Sequence, residues 1–312
     1  MDYVDGIRAF VQTARAGTMS AAARELDVSV ALLSKRIARL ENHLGTGLFH
    51  RTTRRLTLSD PGREYLERSR RILAEIEDAE SALAGMQSEP RGELRLSASV
   101  SFGRKHVVPL VAEFLARFPK LRINLELADN YADVVGSGLD LAIRIGTLTD
   151  SSLMARRLAP NHRVICATPD YLARYGTPQT PEELRAHNCL VLRYPGSSLN
   201  EWPFQGNDGL RSVRIDGNFD TNNGEGLVEA LLAGVGLSMQ STWNVSDELR
   251  SGTLQAVLQD FTAPDVSIHA VYPPTRNVSP KVRAFIDALI ERIGPEPYWD
   301  RELAHILGQR GG

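Results

Sequence analysis

The chain has 312 residues, 42% hydrophobic and 24% charged, which is the composition of an ordinary globular protein of about two domains. No run approaches ~18 consecutive apolar residues, so no transmembrane helix is expected, and MDYVDGIRAF has neither the basic nor the apolar region of a secretory signal. Cys166 and Cys189 are too few for a disulfide framework or a Cys-rich zinc site, in keeping with a reducing cytoplasm. The net charge of -2 is uneven: residues 1–60 hold nine Lys/Arg against six Asp/Glu, and the rest of the chain 27 against 32. A mildly basic head on an acidic body permits phosphate contact at one end.

In chain order, residues 3–16 place Ile7, Phe10, Val11 and Ala14 at helical spacing, and Gly17 ends that helix. Ser20 is the expected N-cap of a second helix, AAAREL. Asp27-Val28-Ser29 forms a turn, and Ser29 caps a third helix that buries Leu33, Ile37, Leu40 and Leu44 until Gly45. The other face of that helix is left to Ala31, Ser34, Lys35 and Arg39. LFHRTTRRLTLSD then reads as a short two-stranded wing, and Ser59-Asp60-Pro61 as the start of a long helix.

Along that helix Tyr65, Ser69, Ile72, Ile76, Ala79, Leu83 and Met86 are spaced 4-3-4-3-4-3. Either the helix lies on its own domain or it pairs with a second copy. The stripe is too narrow for a globular core and favours a two-stranded coiled coil, with Ile72, Ile76, Ala79, Leu83 and Met86 as the dimerisation seam.

After a hinge, GMQSEPRG, strands and helices alternate. GELRLSAS is a strand, 105–118 a helix, LRINLEL a strand, YADVVGSGL a short helix and DLAIRIG a strand. A second set follows with RVICAT, a helix at PDYLARYG, CLVLRY, SVRIDGN, the helix GEGLVEALLAGVG and LSMQ. VSIHAVYPP and a helix over 279–293 close it. This order predicts open parallel sheets covered on both faces, arranged as two α/β lobes with a cleft between them.

The succession SAAARELDVS, a serine-and-basic third helix, LGTGLFHRTTRRLTLSDPG and a long helix closely resembles the LysR-type transcriptional regulators. The likeness continues through RGELRLSASVSFGRKHVVPLVAEFLARFP, DLAIRIG and LLAGVGLSMQ, and so covers nearly the whole chain. It implies an α/β protein with an all-α-rich winged helix-turn-helix head at 1–60, a long coiled-coil linker helix at 61–88 and a two-lobe effector domain at 91–296. That effector domain would be shaped like the periplasmic solute-binding proteins. Lobe 1 would be discontinuous, 91–161 plus 266–296, lobe 2 would span 162–265, and 297–312 would form a C-terminal tail. The implied partners are double-stranded promoter DNA, a small-molecule effector such as a carboxylate, and further copies of the chain as a dimer or dimer of dimers. RNA polymerase joins them if the protein activates; no cofactor and no membrane are implied.

For DNA, the N-terminal residues of a recognition helix meet base edges. Val30 and Ala31 suit a thymine methyl, Ser34 donates or accepts, and Lys35 suits guanine O6/N7. The family more often has Pro or Gln, then a serine, where Val30 and Ala31 stand. Arg36, Arg51, Arg54 and Arg55 are expected on phosphates.

For an effector, strand ends and helix N-termini converge on the cleft. The expected contacts are Ser99, Val100, Ser101 and Phe102 after the first strand, Asn130 and Tyr131 after the second, and Arg144 on the third. Lobe 2 would add Asn222 and Asn223 before a helix, and Trp202 from an irregular loop.

GEGLVE lacks the third glycine of a dinucleotide loop, and no GxSxG, HExxH or P-loop occurs, so an enzyme is not expected. His162 and Cys166 share one strand segment and read as two packed core residues. The expected function is regulated promoter binding. The alternatives are a ligand-independent DNA-binding repressor or a cytosolic solute-binding protein or enzyme.

Overall fold

A computed structural model describes residues 3–51, 56–83, 89–129, 134, 136–146, 152–193, 201–206, 209–261, 266–274 and 278–307. The chain forms two compact units, Met1–Ser88 and Glu89–Gly312.

In the first unit α1 (Tyr3–Ala16), α2 (Met19–Glu25) and α3 (Val30–Leu44) pack Ile7, Phe10, Ala22, Ala23, Leu33, Ile37 and Leu40 into one core. Val11, Ala14 and Leu44 lie at its edge. Gly17 turns the chain at φ +70°, which leaves Thr18 extended and makes it the N-cap of α2, accepting the Ala21 amide at 3.2 Å. Ser20, expected as the cap, lies inside the first turn instead. Asp27 takes the left-handed conformation at φ 52°, which a short polar side chain tolerates, and reverses the chain between α2 and α3. Ser29 caps α3 by accepting the Leu32 amide at 3.1 Å.

The wing is the antiparallel pair β1 (Phe49–Arg51) and β2 (Leu56–Leu58). It is fastened to α3 by Glu41, whose carboxylate accepts the amides of Leu48 at 2.8 Å and Phe49 at 3.3 Å. Ser59 donates to the Gly47 carbonyl at 2.7 Å and accepts the Gly62 amide at 3.0 Å, opening α4 (Asp60–Leu83). The first two heptad positions of α4 belong to this unit's own packing. Tyr65 stacks on Phe10 and shares a hydrogen bond with Tyr3, and Ser69 is fully buried. The next position, Ile72, is 42% exposed and Ile76 is half-buried, while the side chains of Ala79 and Leu83 and the whole of Met86 lie outside the described residues.

The second unit holds two five-stranded sheets. The first is built from β3 (Gly92–Ala98), β4 (Leu121–Leu127), β5 (Leu141–Gly146), β6 (Met154–Asn161) and β14 (Val266–Tyr272), in the order β4-β3-β5-β14-β6. Between β3 and β4 a helical segment runs through α5 (Val100–Phe102), a π-helical turn (Gly103–Val107) and α6 (Val108–Arg117). With α10 (Pro280–Ile293) it covers the sheet, placing Phe102, Leu110, Phe114, Phe285 and Leu289 in the lobe 1 core.

The second sheet contains β7 (Arg163–Ala167), β8 (Cys189–Leu192), β11 (Asp220–Thr221), β12 (Leu237–Ser241) and β13 (Gln255–Val257), in the order β11-β8-β12-β7-β13. It is covered by α7 (Pro169–Tyr175), α8 (Gly224–Leu232) and α9 (Thr242–Ser251).

Both sheets are mixed, not parallel as the alternation of strands and helices suggests. β14 runs antiparallel to β5 and β6, and β7 runs antiparallel to β12 and β13. The crossovers between lobes impose this. β6 leaves lobe 1 and β14 returns to it, so the two must run opposite ways, and β7 and β13 enter and leave lobe 2 likewise. SVRIDGN also departs from expectation: its first three residues, Ser212–Arg214, end β10 (Gly209–Arg214), which pairs with β9 (Glu201–Gly206) as a separate hairpin, and the other four lie outside any strand. Of the helix expected at YADVVGSGL, residues 134 and 136–138 are turn and not helix, and 131–133 and 135 lie outside the described residues. Among the described residues no helix is long and apolar enough to cross a membrane.

Candidate DNA-reading surface and effector cleft

At the start of α3, Val30, Ala31 and Lys35 are exposed and Ser34 is half-buried. Leu32 is also exposed, so the first turn of this helix presents an apolar edge beside a lysine and a serine. Burial of Leu33, Ile37 and Leu40 on the opposite face fixes that presentation. Arg36, expected on phosphate, instead pairs with Asp5 of α1 at 2.9 Å. Seven residues after Ser29, about two turns on, its side chain lies toward α1, so it clamps two helices. Arg51 ends β1, while Arg54 and Arg55 lie outside the described residues.

In the second unit the turn after β3 meets the start of α8. Ser99 is the N-cap of α5, with no side-chain capping bond. Ser101 is 3% exposed, and its hydroxyl has no partner. It faces Gly224, the first residue of α8, where a Cβ would lie 2.8 Å from the Ser101 Oγ. Asn223 caps α8 by accepting the Gly226 amide at 2.8 Å.

The free amides expected to hold an effector carboxylate are partly engaged. Asp129, just after β4, accepts the Val100 amide at 3.0 Å and the Asn223 side-chain amide at 3.1 Å. This carboxylate therefore joins the two lobes across the helix N-termini. Arg104 and Glu225 make a second link at 2.6 Å, and Lys105 donates to the Asn244 carbonyl as a third.

Behind Gly224 lies a run of buried polar groups. Asn244 donates to Gln240 at 3.3 Å, Gln240 to Ser238 at 3.1 Å, and Ser238 to the Leu190 carbonyl at 2.8 Å. Each is nearly water-free, so their pairing fixes one arrangement of side chains.

These two surfaces coincide with two family assignments. Residues 4–63 match the family described as "Bacterial regulatory helix-turn-helix protein, lysR family", and residues 87–294 match "LysR substrate binding domain". The chain belongs to the LysR family of transcriptional regulators.

Relatives support this over the full length. The HTH-type transcriptional regulator DmlR of Escherichia coli K12 is 35% identical, over 97% of this chain and 98% of its own. An HTH-type transcriptional regulator of Xanthomonas campestris pv. campestris is 37% identical, over 91% and 83%. The solved structure of CrgA, a LysR-type regulator from Neisseria meningitidis, superposes with a TM-score of 0.61 at 34% identity, covering 93% of this chain and 98% of that one. The protein is thus a DNA-binding transcriptional regulator with an effector-binding regulatory domain, and not an enzyme.

Within this LysR-type regulator, the expected effector residues divide. Ser99, Val100, Ser101 and Asn223 come together at the lobe junction, Asn222 is exposed beside them, and Arg144 is half-buried on β5. Phe102 does not line the cleft: it is fully buried, edge-on to Trp243 at 5.2 Å. Trp202 is not in an irregular loop but in β9, where it packs with Phe204 and Val213 in the lobe 2 core. A bulky ring two residues from another apolar ring fills a hairpin face, as strand alternation requires. Asn130 and Tyr131 lie outside the described residues.

Asp129 and Asn244 were missed by sequence reasoning. An acid two residues after the strand LRINLEL was the available signal for Asp129. Cys166 is a core residue, its thiol pushed up by burial, but His162 is not, because it pairs with Asp300 at 3.0 Å.

Proposed function

We propose that this regulator reads promoter DNA with the first turns of α3 and is switched by a small carboxylate at the junction of its lobes. Val30 and Ala31 contact thymine methyl groups, Ser34 and Lys35 contact polar base edges, and Arg51, Arg54 and Arg55 neutralise phosphates. Two heads are held together by α4 through Ile72, Ile76, Ala79, Leu83 and Met86, giving a dimer or a dimer of dimers. The setting is the cytoplasm, with RNA polymerase as a further partner where the promoter is activated.

The observation that carries the effector reading is the Ser101 hydroxyl. A buried hydroxyl without a partner costs free energy unless something fills the need, and here it stands between two helix N-termini that favour negative charge. Ser99 and Arg144 are further groups offered to a carboxylate, which takes the Val100 amide and the Asn223 side-chain amide in place of Asp129.

One observation supports a second reading. Asp129 already satisfies the Val100 amide from within, as a ligand-independent repressor would require.

Footprinting on the DNA upstream of the gene tests the first part, with salt-sensitive protection expected; none there or elsewhere in the genome would refute it. A thermal-shift screen of small carboxylates, aromatic acids and a broad metabolite set, run on wild type and Ser101→Ala, tests the second. A stabilising compound that loses its effect in Ser101→Ala is expected. No stabilisation by any compound would favour the ligand-independent repressor.

A further inference from the structure

The last described residues are not a loose tail. Gly294 ends α10 at φ +83°, and the chain turns back with the Tyr298 amide donating to the Ile293 carbonyl at 3.2 Å. Tyr298 and Trp299 then enter lobe 1. Trp299 is 1% exposed in that lobe's core, with its ring 4.7 Å from His106 and 6.2 Å from Phe102. His106 fixes the arrangement. Its Nε2 must donate to the Trp243 carbonyl at 3.1 Å, which leaves Nδ1 to accept the Tyr298 hydroxyl.

Four residues after Trp299 the same segment enters lobe 2. Leu303, Ile306 and Leu307, the last two in the short helix α11 (Ala304–Leu307), pack with Leu227, Leu231, Val245 and Leu249. Between the two anchors, Asp300 is 2% exposed and bonds His162, which lies on the crossover from β6 to β7. Arg250 of α9 completes the fastening, donating to the Trp299 carbonyl at 2.9 Å and pairing with Glu302 at 3.2 Å.

Two lobes joined by crossovers can rotate about them, because a few residues absorb the change. A segment inserted into both cores opposes that rotation. Close-packed interiors do not stretch, so turning one lobe against the other must withdraw either Trp299 or Leu303 from its socket. We propose that residues 295–307 are a strap that clamps the two lobes together and sets how far they turn. The match to the family's regulatory domain covers residues 87–294, so the strap lies beyond the matched region. The strap also backs the effector turn, since Trp299 packs on Phe102, next to Ser101. The clamp itself rests on the two-lobe fold and not on the effector reading, and its test uses no ligand.

The experiment is pulsed electron paramagnetic resonance on the full chain, with spin labels at Asn124→Cys on β4 and Ala173→Cys on α7. Both positions are exposed and both native cysteines are buried. Dilution with unlabelled chain restricts the reading to distances within one chain. A single narrow distance is expected, and it should broaden and shift when Leu303→Ala and Ile306→Ala are added. A distribution that superposes on the parent would overturn the proposal. If the double variant does not fold, Leu303→Ala alone is read by hydrogen exchange. Loss of a lobe 2 anchor should then speed exchange at residues 100–107 of lobe 1 as well as in α8 and α9. Acceleration confined to lobe 2 would show a local cover and sink the strap.

Discussion

The Asp129 carboxylate accepts the Asn223 side-chain amide at 3.1 Å, and this contact ties the end of β4 in lobe 1 to the N-cap of α8 in lobe 2. Its other oxygen holds the Val100 amide, so one acid serves two helix starts at once. Asp129→Ala leaves both donors without their partner. A loss of about 1–3 kcal/mol is expected, read as a lower urea midpoint. With the internal acid gone, acetate should stabilise the variant more than wild type at equal concentration; an equal shift in both would place the carboxylate elsewhere.

Lys35 and Arg36 are neighbours on α3 with separate tasks. Lys35 is exposed, and Lys35→Ala should weaken binding to the upstream DNA by about 1–3 kcal/mol in fluorescence anisotropy. Arg36 is committed to Asp5. Its replacement by alanine should cost up to about 1 kcal/mol of folding stability and leave the salt dependence of DNA binding unchanged. A reduced salt slope in the Arg36 variant would return that residue to the phosphates.

Gly62 lies against the Leu48 carbonyl, and a Cβ there would fall inside van der Waals contact with that oxygen. Gly62→Ala should therefore push α4 away from the wing and cost about 1–3 kcal/mol, measurable by thermal unfolding. An unchanged melting temperature would mean that the wing moves freely relative to α4.

Burial holds His106 at about 4, against an ordinary 6.5. Lys105 and Arg292 add to that lowering, while the Trp243 carbonyl and Asp247 oppose it. The unfolded chain thus takes up a proton near pH 6.5 that the folded chain refuses until about pH 4. Stability from this group is complete above pH 6.5 and is lost as pH falls toward 4, by on the order of 3 kcal/mol. His106→Gln, which can still donate and accept, should flatten the pH dependence of urea unfolding across that window. A profile as steep as wild type would assign the slope to other groups.

Much of the first unit was legible in the sequence, because its helices are set by local rules. The 3–4 spacing of Ile7 and Phe10 and of Leu33, Ile37 and Leu40 marks the faces that pack, and Ser29 and Gly45 mark the ends of α3. The one misplaced cap, Ser20, arose because the left-handed Gly17 lets the helix begin two residues early. The Arg36 ion pair was not legible for a different reason: its partner Asp5 is 31 residues away, beyond what any local pattern reports.

In the second unit the sequence by itself marked many of the strands and helices, since periodicities of 2 and 3.6 are written along the chain, but it did not mark β6, β9, β13 or α9. It also marked Ser99, Ser101 and Asn223 as helix-start residues with polar groups to offer. Only tertiary structure decided strand direction, because that depends on which lobe a segment enters and from which end. Tertiary structure alone also placed Phe102 and Trp202 in cores, brought Asp129 to Asn223 from 94 positions away, and drove Trp299 and Leu303 into separate lobes. Burial and long-range pairing are properties of the packed chain, and a residue's near neighbours in sequence do not carry them.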